Sequence, residues 1–260
     1  MTDATALFRS LPLYPAAYAA GLGSTVIIVP HPDDEALGCG GLLALLRQAG
    51  QDVRVVLVSD GTMSHPNSRK FPPAARQALR KTELEASLRC LGVNPAQVLY
   101  LNLPDGAVPG AGPATEAPAQ AIRQFLAAQP PQTVLVPWRR DPHPDHRAAY
   151  ALLQLALAGF TPLLRVIEYL VWAWERAAPE DLPRPGEVTG WRLDIQSVLA
   201  QKQAAIAAHA SQLPGGPIND DPTGFTLADT MLAHFAQPFE TYLEVPPPTE
   251  NAFPYGSKPA

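Results

Sequence analysis

Cysteine is scarce in this chain: there are two in 260 residues, Cys39 and Cys90. That excludes a disulfide framework and a Cys-x-x-Cys metal knuckle, so both are expected to be small buried fillers. Long hydrophobic runs are missing too, since no apolar stretch approaches the roughly 20 residues that span a bilayer. The start of the chain, Met1 to Arg9, lacks the basic opening and extended apolar region of a signal peptide. Basic charge is not in excess: the net charge is −5, and no Lys/Arg-rich run supplies the footprint of a nucleic-acid binder. No internal repeat is present. These absences lead us to expect a cytoplasmic protein with a small-molecule partner, no nucleic acid and no membrane. Oligomeric state is not readable, and the 30 prolines and irregular last third allow a homo-oligomer.

What is present is an alternation of strand and helix patterns. Apolar, β-branched runs at 24–30, 53–58, 97–101, 133–137 and 164–172 read as strands. Helical patterns fall between and after them, at 36–48, 74–91, 115–128 and 145–158. This rhythm predicts an α/β fold, a Rossmann-like, mostly parallel sheet flanked by helices in a single domain. Three segments break it: a loop at 61–73, a Pro/Gly/Ala-rich connection at 102–118, and a proline-containing stretch at 177–190 before a last helix at 195–210. We expect one domain over residues 1–245 with an irregular C-terminal extension, then a proline-rich tail at 246–260.

Two polar clusters follow predicted strands. His31-Pro32-Asp33-Asp34-Glu35 comes directly after the first, and Asp141-Pro142-His143-Pro144-Asp145-His146 after the fourth. In an open α/β sheet the carboxyl ends of strands are where ligands bind. One imidazole and three carboxylates within five residues resist desolvation unless a positive charge sits among them, and a divalent metal is the usual answer. Helix-dipole complementation by Asp33, Asp34 and Glu35 is the plainer account, but it leaves His31 unexplained. Pro144 suits a first helical position, so His143 and His146, three residues apart, face roughly the same way.

These two segments resemble the paired signatures of the LmbE-like (PIG-L) zinc-dependent N-deacetylases. Ser59-Asp60-Gly61-Thr62, Arg80 to Glu83, Leu103-Pro104-Asp105-Gly106, and Lys202 through His209-Ala210-Ser211-Gln212 are similar to further landmarks of that family. The likeness runs from about residue 24 to 212, with the core motifs at 24–175 and a pocket-closing segment at 191–213. It implies an LmbE-like fold and removal of an acyl group from the amide nitrogen of an N-acetylated amino sugar or its conjugate. It also implies His31, Asp34 and His146 as ligands of Zn²⁺, Asp33 as general base, and His143 as a protonated imidazole facing the oxyanion. Spacing alone does not say which aspartate binds metal, and a neutral, orienting His143 is the rival role. Another divalent transition metal also suits His/Asp ligands.

Arg80, Asp105, Arg139 and Arg140 are candidate contacts to hydroxyls, a carboxylate or a phosphate. Trp138, Trp172 and Trp174 are candidate faces for a sugar ring. His209 and Gln212 would return to the pocket, and Asp145 would hydrogen-bond a neighbouring imidazole. Glu35 is expected to complement the helix dipole, and His65 and His234 to be surface or loop residues. Three rival readings stand beside the deacetylase: an amidase on another small amide or thiol-sugar conjugate, a silent metal- or sugar-binding member, and a dinucleotide-binding domain. Gly38-Cys39-Gly40-Gly41 invites the last, but position 43 is Leu where the fingerprint needs glycine. Those glycines are expected to let the helix pack close to the sheet.

Overall fold

A computed structural model describes residues 4–246. Nearly all of the predicted tail therefore lies outside the described residues. Eight strands form one sheet: β1 (Leu13–Tyr14), β2 (Thr25–Val29), β3 (Val53–Ser59), β4 (Val98–Leu103), β5 (Thr133–Pro137), β6 (Arg165–Tyr169), β7 (Thr189–Asp194) and β8 (Phe239–Glu244), in the order β1-β7-β8-β6-β5-β2-β3-β4. The helices are α1 (Ala4–Arg9), α2 (Asp34–Gln48), α3 (Pro73–Cys90), α4 (Glu116–Ala128), α5 (Pro144–Leu157), α6 (Leu199–Ala208) and α7 (Asp229–Phe235).

Every residue of β2, β3 and β5 is buried, as expected of strands covered on both faces. Side-chain alternation divides them between two cores. Ile27, Val29, Val55 and Leu135 pack with α2, α3 and α6, whereas Val26, Ile28, Val56 and Val134 pack against α4 and α5.

The chain runs from β2 to β3 and β4 on one side, then returns to place β5 on β2's other flank, all in parallel. The strand order thus reverses between β2 and β5, and a crevice opens beyond their carboxyl ends. The two polar motifs are the segments that leave those ends.

The C-terminal part differs from expectation. β7 and β8 lie within the stretch expected to be irregular, and β8 pairs antiparallel with both β6 and β7. Long-range pairing rather than local pattern places them, because each is one short run, Thr189–Asp194 alternating in burial and Phe239–Glu244 buried through its four central residues. The helix expected at 195–210 is shorter, Leu199–Ala208 after a single 3₁₀ turn, and it is not the last, since α7 follows it.

The glycines of α2 do allow close packing. A Cβ on Gly38 would stand 2.3 Å from the Tyr169 ring, and one on Gly41 2.6 Å from Ile195. No helix among the described residues is long and apolar enough to cross a membrane. We expect Gly38→Ala to cost about 1–3 kcal/mol by overpacking, read as a lower denaturation midpoint. An unchanged midpoint would contradict the close approach.

Candidate functional site

The first motif turns sharply as it leaves β2. Asp33, which precedes α2, has φ 135° and ψ −29°, a conformation costing an L-residue about 1–3 kcal/mol. Glu35 holds it there, because the Asp33 N–H donates to Glu35 Oε2 at 3.0 Å. The other oxygen of that fully buried carboxylate accepts from Ser87 Oγ at 2.6 Å and His209 Nε2 at 2.7 Å. Glu35 is therefore a brace for its neighbour's backbone, a role beyond complementing the helix dipole. His209 stands behind the site, bound to Glu35, and does not line the cleft. Its pKa is raised: burial opposes the charge, but the Glu35 carboxylate prevails.

The bend places Asp34 between the two motifs. Its Oδ2 lies 3.3 Å from His31 Nδ1 and 3.2 Å from His146 Nε2, and also accepts the His31 N–H at 2.9 Å. The His31 and His146 ring centroids are 5.4 Å apart. His143, a turn earlier than His146, lies 4.7 Å from His31 and 5.0 Å from His146 by the same measure.

Further carboxylates face the far sides of these rings. His31 Nε2 is 3.1 Å from Asp145 Oδ2 and 3.2 Å from Asp105 Oδ1. Asp145 thus meets an imidazole, as the sequence led us to expect. Asp141, given no role from sequence, lies 3.4 Å from His146 Nδ1 and also accepts the His143 and Trp172 N–H groups at 2.9 and 3.0 Å. Its place directly before the second motif was the available signal.

Burial works against charge throughout this cluster, and the partners decide the outcome. Burial would raise Asp34, but the imidazoles of His146 and His31 hold it well below the usual carboxylate range. Burial would lower His31 and His146. Asp105, Asp145 and Asp34 instead raise His31 well above normal, and Asp34 and Asp141 raise His146 to about 9. Asp33 rises to about 7 because burial outweighs the Arg80 guanidinium, with repulsion from Asp34 adding to the rise. Arg80 Nη2 reaches Asp33 Oδ2 at 3.3 Å and also donates to the Pro32 carbonyl.

His143 is pushed down to about 4, by burial first and then by His146 and His31. Its Nδ1 accepts the Asp145 N–H at 3.2 Å, which leaves Nε2 to carry the ring proton. The geometry therefore favours a neutral imidazole in place of the protonated form that the resemblance implied.

His31, Asp33, Asp34, Arg80, Asp105 and His143 all face one cleft of about 240 Å³, walled by Met63, Trp172, Phe225 and Leu227. Other candidates lie outside its lining. Arg140 is held by Glu187, at 2.5 and 2.7 Å, and by the Leu182 carbonyl. Arg139 pairs with Glu168. Trp138 is buried, with Nε1 donating to the Asp181 carbonyl, and Trp174 packs edge-on against Phe8. Gln212 does line the cleft. His65 lies in the loop between β3 and α3, as expected, but it is 2 % exposed and its ring fills the space beside Gly224, so it is not on the surface.

Two sets of side chains could hold a divalent cation, His31 with His143 and His146, and His31 with Asp105 and Asp145, each offering ligand atoms within 4.8 Å of one another; Asp34, between His31 and His146, is in neither set. Both ring nitrogens of His146 are buried and face carboxylates outside good hydrogen-bond geometry, Nε2 toward the Asp34 carboxylate shared with His31 and Nδ1 toward Asp141. Buried nitrogens without partners are costly, and a metal about 2.0–2.1 Å away would satisfy one.

Comparison with known proteins then decides the family. The pattern of PIG-L, described as GlcNAc-PI de-N-acetylase, matches residues 26–157. The chain belongs to the PIG-L family. Relatives of this PIG-L protein include the 2'-N-acetylparomamine deacetylase of Streptomyces fradiae, 29% identical over 73% of this chain and 74% of the other. The diacetylchitobiose deacetylase of Thermococcus kodakarensis is 30% identical over 72% and 69%. Among solved structures, a deacetylase of teicoplanin biosynthesis superposes with TM-score 0.65 at 21% identity, covering 88% of this chain and 100% of that one. The 4-carboxy-2-hydroxymuconate hydratase of Pseudomonas putida superposes at 0.57 and 22%, covering 89% and 100%. At these identities the structures show a shared fold, and that fold carries more than one reaction.

With no ion bound, the carboxylates around His31 and His146 favour the doubly protonated imidazoles. An ion ligated by His31 and His146 would need those lone pairs, so its binding would expel protons and tighten as pH rises. Calorimetry at pH 7 in buffers of different ionisation enthalpy should read between about one and two protons released per ion. Release of none would contradict the assignment.

Proposed function

We propose that the protein is a divalent-metal-dependent hydrolase that removes the acetyl group from the nitrogen of a small N-acetylated amino sugar or its conjugate, with Zn²⁺ as the metal. The observation that carries this reading is Asp33. It is a buried carboxylate held in a strained turn, with its pKa raised to about 7, facing a cleft beside a His/Asp/His donor set. A base poised near neutrality suits proton transfer in both directions. The family relatives named above, by their names deacetylases of 2'-N-acetylparomamine and of diacetylchitobiose, support the acetamide as the scissile group.

His31, Asp34 and His146 would hold the metal. When bound, it would supply Lewis-acid activation of water and carbonyl. Asp33 takes a proton from water as the water oxygen bonds to the acetamide carbon. The C–N bond then breaks, its electron pair stays on nitrogen, and Asp33 returns the proton there, giving an amine and acetic acid, whose remaining proton passes to solvent to leave acetate. His143 Nε2–H donates to the oxygen that gains negative charge. Arg80 keeps the Asp33 carboxylate aimed, Glu35 keeps its backbone bent, and Asp141 and Asp145 orient the imidazoles from behind.

The test is amine release from N-acetylglucosamine conjugates, alongside metal content. Asp33→Asn should keep its metal and lose roughly 10²–10⁴-fold in kcat, whereas His146→Ala should lose metal and turnover together. Equal turnover by wild type and Asp33→Asn would contradict the reading.

The pH profile follows from the sign of the Asp33 shift. The base acts when ionised, so kcat/KM should fall as pH drops through its pKa. That pKa is about 7 without a cation, and a bound cation stabilises the ionised form and lowers it. The acid-limb midpoint should therefore lie at or below 7, and Arg80→Met should move it upward by roughly one unit. An unshifted limb would show that Arg80 does not tune Asp33.

A further inference from the structure

One buried ion pair takes no part in the chemistry described so far, yet it grips the helix that begins at Asp34. Lys202, on α6, and Glu240, on β8, are almost wholly buried, and Lys202 Nζ stands 2.7 Å from Glu240 Oε1. The carboxylate is fully engaged. Oε1 also accepts the Gly41 N–H at 2.7 Å, and Oε2 accepts the Leu42 N–H at 2.8 Å and the Tyr242 hydroxyl at 2.7 Å. Lys202 Nζ donates in turn to the Leu37 carbonyl at 2.8 Å.

Leu37 and Gly41 are four residues apart, so this C=O and this N–H are the two ends of one rung of the α2 hydrogen-bond ladder. The ion pair engages both ends, running from the Gly41 N–H through Glu240 and Lys202 to the Leu37 carbonyl. A side chain set into the ladder is one of the few causes of a helix bend. Glycine makes room for it here: a Cβ on Gly40 would lie 3.1 Å from Lys202 Cγ.

That rung lies one turn from the chemistry. The Leu37 N–H donates to the Asp33 carbonyl at 3.0 Å, and Leu37 lines the cleft. One residue is therefore tied at its N–H to the backbone of Asp33 and at its C=O to Lys202. Stability alone does not account for the pair, because apolar side chains of similar volume often serve a buried site as well or better. What an apolar pair could not supply is a fixed direction for the turn from Asp34 to Leu37.

We propose that Lys202 and Glu240 are positioning residues for the reaction: by holding both ends of the Leu37–Gly41 rung, they set the direction of the first turn of α2 and so the aim of Asp33 and Asp34. This rests on the deacetylase reading for the reaction that is followed, whereas the aim of Asp34 can be read without turnover.

Two variants separate this role from a merely structural one, Lys202→Met and the double variant Lys202→Met with Glu240→Gln. The double variant leaves no unpaired buried charge, so it carries the test where the single one fails to fold. The matched control is Arg165→Met, which removes a partly buried ion pair with Glu244 between β6 and β8. Each protein is assayed well below its melting midpoint, for kcat and KM on an N-acetylglucosamine conjugate. The visible spectrum of the cobalt-loaded protein is recorded beside it, because it reports the geometry around the ion. The Lys202 variants should lose about tenfold or more in kcat with KM nearly unchanged, and their cobalt spectra should shift. Arg165→Met should lower the midpoint alone. Folded Lys202 variants with the kcat and cobalt spectrum of wild type would overturn the proposal and leave the deacetylase reading standing. Spectra shifted by the Lys202 variants, with no acetate released even by wild type, would do the reverse.

Discussion

Negative charge is packed into one buried point at the ends of β2 and β5, and the rest of the site is arranged around compensating it. Asp34, Asp141 and Asp145 are almost wholly buried, with Asp105 beside them. Carboxylates taken out of water at this density stay ionised only if positive charge is held among them. In the metal-free protein, protons on His31 and His146 do that work, as their raised pKa values show. A divalent cation would do it better and would leave the two imidazoles to act as ligands.

The same requirement explains why one helix start carries so much. Turning Asp33 back into the crevice needs a strained φ, and the buried Glu35 carboxylate, with Ser87 and His209 attached, stabilises that turn. α2 must also lie close to the sheet for its first turn to reach β5's loop. Gly38 permits this against Tyr169, whose hydroxyl donates to the Ile28 carbonyl on β2. Deeper in the same helix, Glu240 accepts the Gly41 and Leu42 N–H groups while Lys202 pairs with Glu240 and donates to the Leu37 carbonyl. Side chains from α6 and β8 thus satisfy backbone groups in the middle of α2, and the C-terminal segments help set the position of the motif.

Much of this was legible in the sequence because local pattern and function coincide. Apolar β-branched runs identified the strands that end at His31 and Trp138, and the paired motifs identified the residues that converge there. What sequence could not supply depended on contacts between distant segments. β8 slots between β6 and β7 through pairing that no local period announces. His209 belonged near the pocket, yet only the packing of α6 against α2 and α3 shows that it braces Glu35. Arg140 looked available until Glu187, across the 177–190 stretch, proved to hold it. Trp172 was a candidate and does wall the cleft, whereas Asp141 and Phe225 were given no role, and their importance comes from what they touch.

The central claim is that residues 31, 34 and 146 share one cation. The most direct measurement is an anomalous-difference map from crystals grown with zinc, collected on both sides of the zinc absorption edge. The account predicts one strong peak within bonding distance, about 2.0–2.2 Å, of an imidazole nitrogen of His31, a carboxylate oxygen of Asp34 and Nε2 of His146. A fully occupied peak elsewhere, with no density among these three, would contradict it.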